Sequence, residues 1–312
     1  MSAILNITGP IFLIVALGYL SVRWGLFEKA HMKVLGRFVM FVALPALLFK
    51  ALASRALSEI VQADYILVYA LGSAVPLALM VWWQRRQGAS HGRAGIAAMG
   101  ASCPNSGFVG FPIMLLIMPK FAPIVLALNM LVENFFTLPL TMAYSERQPG
   151  EHGHWSQSVL HALKPLTTNP LFLAILVGGT FAGLGIHPPQ VVSRSIDVMA
   201  QAAGGAALFS IGGGLVGLEI KGLRRLVSLI AVGKLVVHPL ATAALAYWLL
   251  PIADPHLRAA AVISTAMPML GVYPLLASRA GQEDMASAAL LATTVGAFVT
   301  LSLLLVGLPI PH

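Results

Sequence analysis

Positions 102–112, reading Ser-Cys-Pro-Asn-Ser-Gly-Phe-Val-Gly-Phe-Pro, lie in the middle of an apolar run covering 94–118. A run of that length is long enough to cross a bilayer, which takes about 17 to 25 residues, but its centre is unsuited to a continuous helix. Pro104 and Pro112 lack backbone donors, Gly107 and Gly110 loosen the chain, and Asn105 and Ser106 carry side chains that can partner freed N–H groups. The stretch therefore predicts a broken helix at membrane depth. Open backbone is tolerated there only where protein buries it or where it lines a polar cavity, which makes the break a candidate site. A plain proline kink is the competing reading.

Composition supports a membrane setting. Of 312 residues, 58% are hydrophobic and 10% charged, against roughly 25% charged in a soluble domain. The formal charge of +8 comes from basic clusters between apolar runs, where it sets topology, and no interleaved stacking aromatics point to nucleic acid. Cys103 is the single cysteine, so no intrachain disulfide framework exists. The first apolar run has no basic flank before it and no small-residue cleavage pattern, and is read as a mature span.

Apolar runs at 3–22, 32–53, 63–84, 94–118, 122–145, 169–186, 190–217, 226–250, 258–280 and 285–308 predict an all-α polytopic protein of about ten transmembrane helices. The expected organisation is a first five-helix repeat at 1–145, a loop at 146–168 containing His152, His154, Trp155 and His161, and a second five-helix repeat at 169–312. One set of alternate loops collects Arg23, Lys29, Lys33, Arg37, Arg85, Arg86, Arg93, Arg147, Lys164, Lys221, Arg224, Arg225 and Arg279, while the other holds only Lys50, Arg55, Lys120, Arg194 and Arg258. The first set is cytoplasmic by the positive-inside rule, so both termini are expected outside, in the periplasm of a bacterial inner membrane, with the 146–168 loop inside. An odd number of spans per half makes the second half enter from the opposite face, the sign of an inverted repeat.

The fourth span then has a counterpart in the ninth. Pro104-Asn105-Ser106-Gly107 matches Pro268-Met269-Leu270-Gly271, and each is followed by a second proline, Pro112 or Pro274. Both motifs stand roughly 15 to 17 Å into their spans at helical rise, about half a bilayer core. Two broken helices crossing at the midplane would offer half-helix N-termini to an anion.

Pro104 to Pro112, the second-span Leu44-Pro45-Ala46-Leu47-Leu48-Phe49, and Asn169-Pro170 at the start of the sixth span resemble the auxin efflux carrier family, whose bacterial members include malonate and malate permeases. The resemblance runs over essentially the whole chain. It implies a five-plus-five inverted repeat similar to bile-acid symporters and sodium/proton antiporters. Helices 1, 2, 6 and 7 would then form a scaffold, often dimeric, and helices 3–5 and 8–10 a transport domain with the crossover at its centre. Met269 and Leu270 stand where a second polar crossover side chain would be expected.

Charged residues within spans are costly and functional or paired. Glu133, Asn134 and Asn129 in the fifth span and Lys234 and His238 in the eighth are candidates for a charge network facing the crossover, either as a proton-coupling group at Glu133 or as a static brace. Substrate contacts are expected from Asn105, Ser106, Gly107, Pro104, Pro268, Thr265 and the backbone N–H groups of Leu270 and Gly271. Phe108, Phe111 and Tyr273 are read mainly as packing, and Gly213 and Gly217 as close helix contacts. His152 and His154 have no third ligand beside them, so neither metal nor cofactor is expected.

Two functions fit this pattern. The leading one is a secondary carrier for a small organic anion, a mono- or dicarboxylate of auxin-like or malonate-like type, working by elevator-type alternating access, with coupling to H+ or Na+ left open. The alternative is a cation/proton antiporter of the same architecture, which would want paired mid-membrane acids. An enzyme is not expected: the sequence holds no His-Glu-x-x-His pair, no Gly-x-Ser-x-Gly elbow and no nucleotide loop.

Overall fold

A computed structural model describes residues 2–53, 62–147, 167–217 and 224–308, with backbone alone for 2–8 and 12. The expected 146–168 loop lies outside the described residues except at its two ends, and Arg55 and Lys221 lie outside them as well. In chain order the helices are α1 (Ser2–Arg23), α2 (Lys29–Ala53), α3 (Ala63–Arg86), α4 (His91–Ser102), α5 (Ser106–Ile117), α6 (Ala122–Ser145), α7 (Pro170–Leu184), α8 (Gln190–Gly214), α9 (Arg224–Leu249), α10 (Pro255–Thr265), α11 (Tyr273–Ser278) and α12 (Glu283–Gly307). Each expected span carries helix, and the 94–118 and 258–280 runs are each divided, into α4 with α5 and α10 with α11. By length and apolarity α2, α3, α6, α9 and α12 can cross a membrane. Among the described residues there is no sheet, only an isolated antiparallel bridge between Pro104 and Met269.

Local chemistry sets these boundaries. Cys103 is extended (φ −100, ψ 106) because the residue before a proline is pushed out of the helical region. Asn169 caps α7 through the N–H groups of Leu171 and Phe172, and Asp254 caps α10 through those of His256 and Leu257; each is followed by proline at the first helical position. Gly185 ends α7 at φ 64, a conformation that favours glycine.

Prolines also widen the helices from within. Each π-helical segment among the described residues spans five positions and stands immediately before an Xaa-Pro pair: Val39–Ala43 before Pro45, Ser106–Gly110 before Pro112, Glu133–Thr137 before Pro139, Gly233–Val237 before Pro239, and Leu245–Leu249 before Pro251. The N–H of the residue preceding the proline reaches back five positions in four of them, as from Leu138 to Glu133 and from His238 to Gly233. The pyrrolidine ring crowds the carbonyl four residues back and supplies no donor for it, so the turn before it loosens by one residue.

The chain divides into two compact units. The first comprises Met1–Gln62, Ser106–Met130 and Thr167–Gly217. In it α1 and α8 pack almost backbone to backbone: a Cβ on Gly18 would overlap the Phe209 carbonyl, and one on Gly212 the Val15 carbonyl. Gly213 lies against the Met32 and Val22 side chains, whereas a Cβ on Gly217 would meet nothing and Gly217 takes a left-handed turn at φ 73, so the expected packing role belongs to Gly18, Gly212 and Gly213 and not to Gly217. Phe49 and Phe181 meet edge to face at 5.2 Å between α2 and α7, and the Lys50–Asp197 pair at 2.7 Å is partly solvated.

The second unit comprises Ala63–Asn105, Leu131–Leu166 and Leu218–His312. Its centre is α4, buried from Ala94 through Ser102 on every side, and α10, buried from Ala259 through Thr265. A helix buried all round must be apolar and slender, and Ala, Gly and Ser supply both. Ile96, Met99, Ile230, Met269, Tyr273 and Met285 fill the space about α4. Gly100 lies against the Tyr273 ring, whose hydroxyl donates to the Ile96 carbonyl at 2.8 Å.

Gly212→Ala is expected to lower stability by about 1 to 3 kcal/mol through overpacking. Gly214→Ala, at a helical position with open space, is expected to leave stability unchanged or raise it by up to about 1 kcal/mol. Thermal melts of the two purified variants check the difference.

Candidate functional site

The two breaks in the second unit meet. The Asn105 N–H donates to the Pro268 carbonyl at 2.8 Å, and the Leu270 N–H donates to the Cys103 carbonyl at 3.2 Å. Pro104 and Met269 stand opposite each other between those bonds. That is the pairing in which neither facing residue uses its own N–H, so Pro104 fits without loss. Pro268 serves as an acceptor, for which it needs no N–H either. One expectation is corrected here: the Leu270 N–H is already taken by Cys103 and is not left for an anion. The segment after it is also short, since α11 spans only Tyr273–Ser278, too few turns to present a sizeable dipole.

Beside the pairing, Asn105 is buried and its amide nitrogen lies 3.6 Å from where a Cβ on Gly271 would stand. Thr265 turns its hydroxyl back to the carbonyls of Ala261 (3.2 Å) and Val262 (2.9 Å). What it presents is its own carbonyl, which accepts from Lys234 Nζ at 2.6 Å. Lys234 is wholly buried, and its ammonium therefore sits on the C-terminal carbonyl end of α10, where a cation is favoured.

Hydrogen-bond bookkeeping fixes the state of the neighbouring histidine. Ser73 Oγ donates its single proton to the Tyr69 carbonyl at 2.8 Å. It must then accept from His238 Nε2, 3.0 Å away. His238 Nδ1 is thereby left as an acceptor, and Lys234 Nζ lies 3.2 Å from it. Lys234 thus spends two of its N–H bonds on Thr265 and His238; among the described residues no third acceptor holds the ammonium.

Glu133 opens the π turn of α6 and is buried. Tyr69 donates its hydroxyl to Glu133 Oε1 at 2.8 Å, and the Tyr65 ring stacks on that of Tyr69 at 5.8 Å. Tyr69 touches both sides of this network through different groups: its hydroxyl donates to Glu133, while its backbone carbonyl accepts from Ser73, which leads on to His238 and Lys234. Tyr65, Tyr69 and Ser73 were not singled out from sequence, although they recur every fourth residue on the buried face of α3. That polar stripe was the available signal.

The remaining candidates fall in the first unit, apart from Asn134, which belongs to the second. Asn129 Nδ2 donates to Ser106 Oγ at 3.3 Å, and Gly107 lies against Leu44, where a Cβ would stand 3.2 Å from Cδ1. Phe111 is buried, Phe108 lies near Gly36, and Asn134 is half-buried.

The sequence pattern of a family described as "Membrane transport protein", the auxin efflux carriers, matches residues 4–305. The chain belongs to that family. As an auxin efflux carrier family member it is a multi-pass membrane transporter and not an enzyme. It is 28% identical over an alignment of 316 residues to a Rhizobium meliloti (strain 1021) protein named "Putative malonate transporter", covering 98% of this chain and 96% of that protein. It is 27% identical over 208 residues to an Escherichia coli (strain K12) protein named "Uncharacterized transporter YfdV", covering 65% and 66% of the two chains.

Tyr69→Phe removes the hydroxyl from Glu133 and is expected to lower stability by about 1.5 to 3 kcal/mol, the range for a hydrogen bond to a charged group. Phe at the neighbouring Tyr65 keeps that bond and serves as the comparison in a thermal melt.

Proposed function

We propose that the protein is a secondary carrier for a small organic anion, a mono- or dicarboxylate, working by alternating access about the paired breaks. The observation that carries this reading is the Lys234 ammonium, wholly buried, held on the Thr265 carbonyl at the end of α10 and with an N–H to spare. A cation beside a backbone interruption favours an anion, and Asn105 is the polar side chain at the facing interruption, its amide nitrogen 3.6 Å from the Cβ position of Gly271. The name of the Rhizobium relative supports malonate as the first dicarboxylate to try.

The finer architecture belongs to the same proposal. Ten spans form a five-plus-five inverted repeat, with α4–α5 and α10–α11 as the two crossing helices. The arginine-rich loops face the cytoplasm and both termini the periplasm of an inner membrane. Helices α1, α2, α7 and α8 serve as scaffold and dimer interface, and α3–α6 with α9–α12 as the moving part. The first compact unit contains the four scaffold helices together with Ser106–Met130, and the second the rest of the moving part.

Glu133 gives the mechanism its coupling candidate. It is the one carboxylate buried among the described residues, and the Tyr69 hydroxyl that donates to it belongs to the residue whose backbone carbonyl holds Ser73, so a change at Glu133 would act on the Lys234 side through the position of Tyr69. The same residue is what favours the second reading, a cation/proton antiporter, although that chemistry would want paired acids.

Uptake of malonate, malate, pyruvate, indole acetate and sodium into proteoliposomes, with and without a proton gradient, tests the proposal. Accumulation of a carboxylate is expected; sodium flux without carboxylate flux would replace the anion carrier by the antiporter. Asn105→Ala is expected to weaken substrate binding by about 1 to 3 kcal/mol, and unchanged affinity would leave Asn105 a cap only. Glu133→Gln should abolish the pH dependence of uptake while binding persists; a full pH response in that variant would end the coupling role.

A further inference from the structure

A second candidate site lies in the second unit, away from the breaks. Between α3, α4 and α6 runs a cavity of about 280 Å³ whose walls include Leu77, Ala78, Val81, Ala98, Leu140 and the Gly95 backbone. Trp82, Thr141 and Tyr144 complete it. Almost nothing polar faces the cavity, which excludes the small hydrophilic anions of the transport site as its occupant. It is continuous with an exposed apolar stripe on α3, Leu67, Leu71, Val75, Leu79 and Trp82, each about a third to a half exposed, of the kind that meets acyl chains.

One end of this groove is strongly basic. The Arg86 guanidinium stacks over the Trp82 ring at 4.5 Å, and the His91 ring lies 5.4 Å from that of Tyr144. Arg85 bonds the Ala89 carbonyl at 2.6 Å, and Arg85 and Arg147 are near enough to His91 to add to the desolvation that holds its imidazole below the ordinary range. Arg93 lies about 200° round α4 from the cavity-lining Gly95, on the other face of the helix, and is not part of this rim. Glu146 is the one acid in this stretch of α6 and its end, against Arg85, Arg86 and Arg147. Aromatic residues with arginines at the end of an apolar face mark the depth of lipid headgroups.

We propose that this groove binds one acyl chain of an anionic glycerophospholipid, with the phosphate held by Arg86 at the Trp82–Tyr144 rim. Apolar volume and cationic rim are joined in one site, so neither a neutral lipid nor a free phosphate satisfies both parts. The bound lipid would belong to the leaflet on the arginine-rich side, where anionic headgroups are drawn to basic segments. The proposal rests on the membrane setting alone and not on the identity of the transported substrate.

The full-length protein in neutral detergent is titrated with dioleoyl phosphatidylglycerol and, separately, dioleoyl phosphatidylcholine, and bound lipid is counted by native mass spectrometry. Phosphatidylglycerol is expected to bind with higher affinity, Arg86→Gln and Arg86→Ala each to weaken it about fivefold, and glycerol 3-phosphate at the same concentration not to displace it. Ala78→Phe, which enters the groove from its exposed side, is expected to abolish the tight site while the protein keeps its melting temperature. Equal affinity for the two lipids, or displacement by glycerol 3-phosphate, would overturn the assignment of a phospholipid. Phosphatidylglycerol binding unchanged in both Ala78→Phe and the arginine variants would overturn the site.

Discussion

Two backbone hydrogen bonds, from Asn105 to Pro268 and from Leu270 to Cys103, allow the interior of the second unit to exist. A backbone group left open in an apolar surrounding costs several kcal/mol, and a helix interrupted by Pro104 or Pro268 opens such groups at its midpoint. Each interruption supplies the acceptor that the other's donor needs. Neither can then be satisfied without its counterpart, although the two are remote in sequence. The composition of the surrounding helices follows from that closeness. α4 and α10 are buried on all sides because their ends must meet, and only residues as small as Ala, Gly and Ser let so many neighbours approach. Tyr273 then locks the second interruption to the first half-helix through the Ile96 carbonyl.

The same constraint explains where the buried charge goes. Ending α10 at Thr265 leaves carbonyls without intrahelical donors, and Lys234 meets one of them. The ammonium is thus positioned first by the protein's own backbone, before any ligand is considered. His238 is kept neutral-compatible by Ser73, whose proton is committed to the Tyr69 carbonyl, so it accepts from Lys234 and adds no second donor in competition with it. A site of this kind has polarity fixed by hydrogen-bond direction, from Lys234 outward and from Tyr69 into Glu133.

Much of the fold could be read from the sequence because its strongest signals are local. Apolar run lengths gave the helices, and Pro104 and Pro268 marked both breaks, since proline acts on its own turn whatever surrounds it. Contacts across the fold were less legible. The Leu270 N–H looked open because nothing near it in sequence could accept, and its acceptor is the Cys103 carbonyl of another helix. Glu133 and Lys234 looked like partners because opposite charges in an apolar chain suggest one another; Tyr69 and Ser73, ordinary residues in a long apolar span, gave no sign of bonding Glu133 and His238. Gly217 resembled a packing glycine by its spacing from Gly213, but α8 ends at Gly214 and Gly217 lies beyond it in a left-handed turn, so the helical spacing no longer applies.

Proline's second effect links these levels. The π turns before Pro139 and Pro239 contain Glu133 and Lys234, the two charged residues of the network. One extra residue in a turn shifts the helix downstream by about 100° relative to a regular 3.6-residue period. Side chains on either side of such a turn therefore cannot be assigned to one face by counting in threes and fours from a distant start. In α9 the widened turn lies between the apolar first half and His238, and Lys234 and His238 are both buried on the network's side with their nitrogens 3.2 Å apart. The prolines of α6 and α9 thus do more than tolerate the membrane. By loosening the turn that carries each charge, they set the direction in which that charge points: Glu133 toward the Tyr69 hydroxyl and Lys234 toward the Thr265 carbonyl and His238.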